Sequence, residues 1–414
     1  MQYGLLGRKL SHSYSPQIHT ALAGYTYELF QVEPEDLDAF MQEKNFAGIN
    51  VTIPYKKAVL PYCSALTEQA KRLGAVNTIV KQPDGSLWGH NTDYFGFQQM
   101  VQNSGLAVCN KKVLVLGSGG AGITASAVLQ DMGANAIIIS REGENNYQRL
   151  SLHKDTSVIV NATPVGMYPN TGISPVNLTD FPNLEGVLDL IYNPFKTELL
   201  LQAEKLGLVA QNGLYMLVAQ AKESAEYFSG SKIPDSRIKE IHKALKQQME
   251  NIILIGMPGS GKTTVGTILA ESLNRKFVDT DALIVQRVGI SIPSFIKQFG
   301  VEAFRQEESA VIQDISKQTG LVIATGGGCV TLEENYNPLH QNGKIVWIQR
   351  DIASLSVDGR PLSQMGNLAD MYEARKPLYS RFCDIVINNN ATPNVAAQAI
   401  AEAYMGDKYE IIDY

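Results

Sequence analysis

Asn251-Ile-Ile-Leu-Ile-Gly-Met-Pro-Gly-Ser-Gly-Lys-Thr-Thr264 is the stretch from which the rest of the chain is read. Ile252 to Ile255 is a short apolar run of strand type, and Gly256 to Thr263 fits the phosphate-loop pattern G-x-x-x-x-G-K-[ST] at every fixed position. Glycines in such a loop let backbone N–H groups, here those of Gly259, Ser260, Gly261 and Thr264, turn toward phosphate oxygens. Lys262 is placed to reach the β- and γ-phosphates, and Thr263 offers a hydroxyl to Mg²⁺. Val265 to Leu273 reads as the helix whose N-terminus faces that charge. A phosphate loop follows the first strand of its own sheet, so a new α/β unit starts near residue 251 and the residues before it must be complete by themselves.

A chain of 414 residues, 44% of them hydrophobic, is long and apolar enough for two to four globular domains. A net charge of −6 with no basic block argues against a nucleic-acid surface. The four cysteines (Cys63, Cys109, Cys329, Cys383) form no C-x-x-C pair and read as reduced thiols. The first residues lack the apolar stretch of a signal peptide, and no run approaches the ~20 apolar residues that span a bilayer. The expectation is a soluble cytoplasmic protein acting on small molecules, with its oligomeric state open.

Before residue 111, strand-like segments (Tyr3–Leu6, Tyr27–Gln31, Gly48–Thr52) alternate with helical ones (Pro16–Ala23, Glu35–Gln42), a pattern that predicts parallel strands. Pro83 to Ser86 reads as a hairpin turn between Asn77–Lys81 and Leu87–His90. Polar clusters stand at the ends of these elements. Ser13 and Ser15 precede a helix that they could cap, or whose N-terminus could bind an anion. Thr52 and Lys56 follow a strand, and Asp93 starts a helix. Singly, a lysine is usually solvated and such an Asp usually caps. Together they suggest a Lys–Asp proton-transfer pair beside hydroxyl and amide groups, suited to reducing a ketone on a polyhydroxylated acid.

From Lys112 the order is buried strand, Gly117-Ser-Gly119-Gly120-Ala121-Gly, then helix, the context of a dinucleotide-binding turn. At the end of the next strand, Asn135–Ile139, stands Arg141, the residue type that accommodates the 2′-phosphate of NADP, although Glu142 beside it opposes that charge. Asn161 to Met167, Asp189 to Pro194 and Asn212 to Gln220 also look functional; Met216 is open to both a core and a cofactor-facing reading.

Residues 1 to about 245 resemble shikimate dehydrogenase. The matching residues are Ser13-x-Ser15-Pro16, Asn50-Val-Thr-x-Pro-x-Lys56, Ala75-Val-Asn77-Thr, Asn91-Thr-Asp93, Gly117-x-Gly-Gly-Ala121, Asn161-Ala-Thr163-Pro-x-Gly-Met167 and Gly213 to Gln220. The resemblance implies reduction of 3-dehydroshikimate to shikimate by NADPH. It assigns the substrate to Ser13, Ser15, Thr52, Asn77, Asp93 and Gln220, and catalysis to Lys56 with Asp93. It assigns the cofactor to Gly117, Gly119, Gly120, Ala121, Arg141 and Thr163, with Tyr192, Gly213 and Met216 where the two ligands meet. Many members carry Asn-Arg-Thr where this chain has Ser140-Arg141-Glu142, which leaves NADP against NAD open.

Asp235 to Gln248 reads as a closing helix with Ile238, Ile241 and Leu245 on one stripe, and no long linker follows. Past the phosphate loop, Lys276–Asp279 is a strand ending in Asp279-Thr-Asp281. Asp279 is placed to hold Mg²⁺ through water and Asp281 to orient or deprotonate an attacking hydroxyl; a plain helix cap is the simpler role. Arg305, Arg360 and Arg375 suit two-pronged recognition of anions, and Gly326-Gly327-Gly328 permits close approach to a ligand. With the phosphate loop these motifs make residues 251 to about 404 resemble shikimate kinase. That resemblance implies transfer of the ATP γ-phosphoryl to the 3-hydroxyl of shikimate, shikimate held by Asp281, Arg305, Gly327 and Arg375, and Arg360 acting on the phosphates from a lid. Arg350 to Gly359 looks short for that lid.

The expected architecture is α/β throughout: a substrate domain over 1–105 completed by helices at 214–246, a Rossmann NADP-binding domain over 106–246, and a phosphate-loop kinase domain with a parallel sheet over 251–414. Two other readings stand beside a bifunctional enzyme, namely a quinate-type dehydrogenase joined to another small-molecule kinase, and an inactive metabolite sensor. Ser13, Thr52, Arg305 and the three glycines favour shikimate, and a sensor would have lost catalytic groups that this chain keeps.

Overall fold

The computed structural model describes residues 2–10, 13–355 and 367–406. The chain divides into two compact units. The first comprises Met1–Met167, Ile173–Asn193 and Gln202–Ala244; the second comprises Tyr168–Gly172, Pro194–Leu201 and Leu245–Tyr414.

The first unit holds two sheets. One is built from β1 (Tyr3–Gly7), β2 (Tyr27–Gln31), β3 (Gly48–Val51), β4 (Ala65–Leu66), β5 (Thr78–Lys81) and β6 (Leu87–His90), in the order β2-β1-β3-β5-β6-β4. Alternating strands and helices predict parallel pairing, and β2-β1-β3 is parallel. The hairpin expected at Pro83–Ser86 is present, with β5 antiparallel to β6, and β4 pairs parallel with β6; the departure is that β5 also runs antiparallel to β3, so the sheet is mixed. The turn at Pro83–Ser86 is too short for a crossover helix and can only reverse the chain between β5 and β6. The other sheet, β7 (Lys112–Leu116), β8 (Asn135–Ile139), β9 (Val158–Asn161), β10 (Gly186–Asp189) and β11 (Val209–Gln211), is parallel in the order β11-β10-β9-β7-β8. Its strand order reverses between β7 and β9, and a crevice opens beyond the carboxyl ends of strands at such a reversal.

The second unit has one parallel sheet, β12 (Asn251–Ile255), β13 (Lys276–Asp279), β14 (Leu321–Ala324), β15 (Gly343–Gln349) and β16 (Ile385–Asn388), in the order β13-β14-β12-β15-β16. Every residue of β12 is buried, because helices cover both faces. Alternate residues go to opposite sides. Ile253 and Ile255 join a cluster with Ile312, Tyr379 and Phe382, from the helices Ile292–Ile315 and Leu368–Phe382. Ile252 and Leu254 join Val265, Leu269 and Ile400, from the helices Lys262–Ser272 and Pro393–Met405. The strand that ends in the phosphate loop is thus clamped along its length, and the loop starts from a fixed point. Among the described residues no helix is long and apolar enough to cross a membrane.

Leu254→Ala would empty a fully buried position beneath the loop. It should lower the stability of the second unit by about 2–5 kcal/mol, read as a lowered urea midpoint by circular dichroism.

Candidate active sites

In the first unit, β3 delivers the chain to a turn whose Thr52 N–H donates to the Leu6 carbonyl at 2.9 Å, which anchors the turn to β1. The Val76 N–H donates to the Lys56 carbonyl at 2.8 Å and holds the far end. Lys56 is thereby aimed at the helix Asp93–Ser104. Its Nζ donates to Asp93 Oδ2 at 2.5 Å, with side-chain exposures of 30% and 15%. The pair is shielded enough to be strong and open enough to meet a ligand. Asp93 lies in the first turn of its helix, where the helix dipole favours a negative charge. Its carboxylate is turned to the lysine, and no side-chain cap bond is made at that helix start.

Asn77, Thr92 and Gln220 converge on the same region. Asn77 Nδ2 donates to Thr92 Oγ1 at 3.0 Å, and Gln220 Oε1 lies 3.4 Å from the same hydroxyl. The helix Leu214–Ser229, which carries Gln220, lies tight against Asp93–Ser104. A Cβ on Gly96 would meet Gln220 Cβ and the Met216 carbonyl at 2.8 Å each. Gly96 is a contact that motif reading passes over; only the fold shows two helices at that spacing.

The serines take different positions from those of a simple cap. Ser15 is the first residue of the helix Ser15–Ala23, is buried and makes no side-chain cap bond. Ser13 Oγ accepts from the Ser15 N–H at 3.2 Å. Tyr14, between them, meets Tyr192 edge to face at 6.3 Å. Burial pushes the Tyr192 hydroxyl above the usual phenol range.

The glycine turn after β7 occupies the crevice between β7 and β9. Gly117 has φ +107°, in the left-handed region that favours glycine. A Cβ there would meet Thr163 Cγ2 at 3.0 Å, so the turn abuts the segment that follows β9. Thr163 is held by Asn161, whose Oδ1 accepts from the Thr163 N–H and hydroxyl at 3.0 and 2.7 Å. Gly119 precedes the helix Gly120–Asp131, with no side chain at its cap. Gly122 was missing from the expected set: a Cβ there would lie 1.9 Å from the Gly117 carbonyl. Its signal was present in the sequence as the sixth residue of the turn motif. Arg141 is exposed past the end of β8. A Cβ on Gly213, at the start of the helix Leu214–Ser229, would lie 2.1 Å from the Leu190 carbonyl. Met216 is half-buried and packs on the apolar cluster that includes Phe97 and Leu188, in line with the core reading.

In the second unit a cleft of about 340 Å³ is lined by the phosphate loop, Asp279, Asp281, Arg305, Glu308, Gly326 to Gly328, Arg350 and Arg375. Lys262 is buried, and its Nζ donates to the carbonyls of Gly256 and Met257 at 2.9 Å each. Asp279 caps the helix that follows it and also meets the phosphate-loop threonine. Its Oδ1 caps the helix Thr280–Val288, accepting from the Asp281 and Ala282 N–H groups, and its Oδ2 accepts from Thr263 Oγ1 at 2.8 Å.

The three glycines allow close approach, but of the protein's own groups. An added Cβ would meet Glu308 Oε1 at 2.3 Å from Gly326, Pro258 Cδ at 2.6 Å from Gly327, and Arg305 Nη2 at 2.0 Å from Gly328. Arg375 and Tyr379 donate to the Gly327 carbonyl at 3.1 and 2.5 Å. Arg305 donates to Glu308 at 2.5 Å. Burial pushes the Glu308 carboxyl above its ordinary range, and the Arg305 charge opposes that shift. Glu308 is a second residue absent from the expected set, although its spacing of three from Arg305 on a helix was legible. Arg360 and the lid segment read as short lie outside the described residues.

Comparison with known proteins agrees with this division. The profile of the shikimate dehydrogenase substrate binding domain matches residues 5–79, and that of shikimate kinase matches residues 258–405. The shikimate dehydrogenase (NADP(+)) of Clostridium beijerinckii is 34% identical over 269 residues, covering 60% of this chain and 99% of its own. A chorismate mutase/shikimate 5-dehydrogenase fusion protein from Clostridium acetobutylicum has a similar structure, with a TM-score of 0.56 at 38% identity over 59% of this chain and 97% of that one. Shikimate 5-dehydrogenase from Thermus thermophilus, solved with NADP(H) and shikimate, gives a TM-score of 0.54 at 30% identity over 59% of this chain and 99% of that one. The alternative substrates and the inactive sensor find no support. The chain therefore belongs to the shikimate dehydrogenase family and carries a shikimate kinase domain behind that enzyme, two activities of the shikimate pathway in one polypeptide.

Proposed function

We propose that Lys56 and Asp93 carry the reduction of 3-dehydroshikimate, and that the cleft around Lys262, Asp281 and Arg305 carries the phosphorylation of the shikimate produced. The observation that bears most weight is the 2.5 Å Lys56–Asp93 contact. An ammonium so placed can give its proton to the alkoxide that forms as a ketone is reduced, while the carboxylate holds it in place. NADPH supplies the hydride when bound. Ser13, Ser15, Thr52, Asn77, Tyr192 and Gln220 hold the hydroxy-acid. Gly117, Gly119, Gly120 and Ala121 present a helix N-terminus to the pyrophosphate, and Arg141 meets the 2′-phosphate. Thr163, Gly213 and Met216 bound the place where the two ligands meet. In domain terms, residues 1–105 with the helices at 214–246 form the substrate part, 106–246 the cofactor part and 251–414 the kinase.

In the kinase, ATP supplies the phosphoryl group when bound. Gly259, Ser260, Gly261 and Thr264 turn N–H groups to it, and Lys262 exchanges its loop carbonyls for phosphate oxygens. Thr263 and Asp279 fit Mg²⁺: a hydroxyl and a carboxylate 2.8 Å apart form a two-oxygen corner, direct or through water, that leaves the other positions to water and phosphate. Asp281 orients the 3-hydroxyl and accepts its proton. Arg305, Gly327 and Arg375 hold the acid, with Arg360 assigned to the phosphates. The cosubstrates, NADPH and ATP, suit a cytoplasmic enzyme.

The chain supplied with 3-dehydroshikimate, NADPH and Mg-ATP should oxidise NADPH and yield a phosphorylated product. Lys56→Ala should stop NADPH oxidation yet still phosphorylate added shikimate; Lys262→Ala should accumulate shikimate. Ketone reduction near the original rate in Lys56→Ala would remove the proton-donor assignment. Gly122→Ala should abolish NADPH oxidation and leave phosphorylation of added shikimate intact, since its Cβ collides only within the dinucleotide turn.

A further inference from the structure

A threonine at a helix start usually turns its hydroxyl onto the free N–H groups of the first turn. Thr92 holds that position before Asp93–Ser104, yet makes no such bond. Its hydroxyl is fully buried and faces Asn77 and Gln220 instead. The Thr92 N–H also donates to Asn77 Oδ1, at 2.7 Å. The hydroxyls of Thr78 and Ser224, equally buried, lie 3.2 and 3.0 Å from that of Thr92.

The directions of these bonds follow from counting protons. Asn50 Oδ1 accepts from the Tyr27 hydroxyl at 2.7 Å, so its Nδ2 end faces the cluster. That end donates to Ser224 Oγ at 2.8 Å and to Thr78 Oγ1 at 3.0 Å. Ser224 sends its own proton to the Gln220 carbonyl at 2.9 Å. Asn77 is oriented in the same way. Its Oδ1 is committed to the Thr92 N–H, so Nδ2 is the end that meets Thr92 Oγ1 at 3.0 Å. One N–H of that amide is used there. A helix start that gives up its cap where three site residues converge breaks a local rule at a place where function is expected to break it.

We propose that Thr92 is a positioning residue for the reduction. It does not touch substrate. Through one hydroxyl and one N–H it orients the amides of Asn77 and Gln220, and it holds the turn from which Asp93 reaches Lys56. This rests on the assignment of Asn77 and Gln220 to the substrate.

The test is steady-state kinetics on the full chain. Thr92→Val keeps the shape and removes the hydroxyl; it should raise KM for 3-dehydroshikimate about ten-fold, the worth of one buried hydrogen bond, with a smaller fall in kcat. KM for NADPH and the rate of shikimate phosphorylation should stay unchanged, reporting folded protein. Thr92→Ser should bring KM back to within about three-fold of the original. If the valine variant does not fold, Thr92→Ala reads the same loss with a smaller side chain. Equal impairment in the serine variant would assign the effect to packing and overturn the proposal. Asn77→Ala separates the two claims. An unchanged KM in that variant sinks the substrate assignment; a raised KM there beside an unchanged KM in Thr92→Val sinks the positioning role alone.

Discussion

A chain that leaves a buried strand and enters a helix at once strands the first N–H groups of that helix without carbonyl partners. Both glycine turns are built on this constraint. β7 and β12 are core strands that cannot shift sideways, and each ends in glycines that let the chain reverse within a few residues. The backbone around Gly117–Gly122 and Gly256–Thr263 then offers N–H donors of the kind that phosphate oxygens can satisfy. The apolar residues beneath contribute no chemistry. Their task is to keep an unsatisfied helix end where water alone would otherwise fill it.

The two acceptor sites solve a second problem differently. Lys56 and Asp93 form an ion pair that stays partly open, so neither charge bears the full cost of leaving water. Arg305 and Glu308 are far more enclosed, at 13% and 0% exposure. A carboxylate so deeply buried is tolerable only beside a guanidinium, and removal of Arg305 would take away its hydrogen-bonded partner and leave only the more distant charge of Arg375. The open pair suits a group that must give up a proton. The closed pair suits a rigid wall that must keep its shape.

The fold class was legible because its signals are local. Apolar runs of four or five residues, each followed by a glycine motif and a helix, need no long-range information. Lys56 and Asp93 carried motif signatures, and so did the residues of the phosphate loop. What could not be read depends on contacts distant in sequence. The antiparallel pairing of β5 with β3 in the first sheet is one such contact. The need for glycine at Gly96 arises only where two helices meet. The burden on Gly326 to Gly328 is set by Glu308, Pro258 and Arg305, whose approach no spacing rule announces. Asp279 is the intermediate case: one oxygen of its carboxylate makes the cap legible from its place before a helix, and the other meets Thr263 of the phosphate loop, a contact that only the fold shows.

The helix Ser236–Met249 is followed by a single residue, Glu250, before β12 begins. Its N–H donates to the Lys246 carbonyl at 2.9 Å, and its carbonyl accepts from Arg275 at 2.7 Å. Proteases cut where backbone is exposed and unbonded, so this stretch of the chain offers them little purchase. The two catalysts then remain in one-to-one stoichiometry for the lifetime of each molecule. A cell using this chain cannot adjust their ratio by making more of one, and the balance of flux between the steps falls to their turnover numbers.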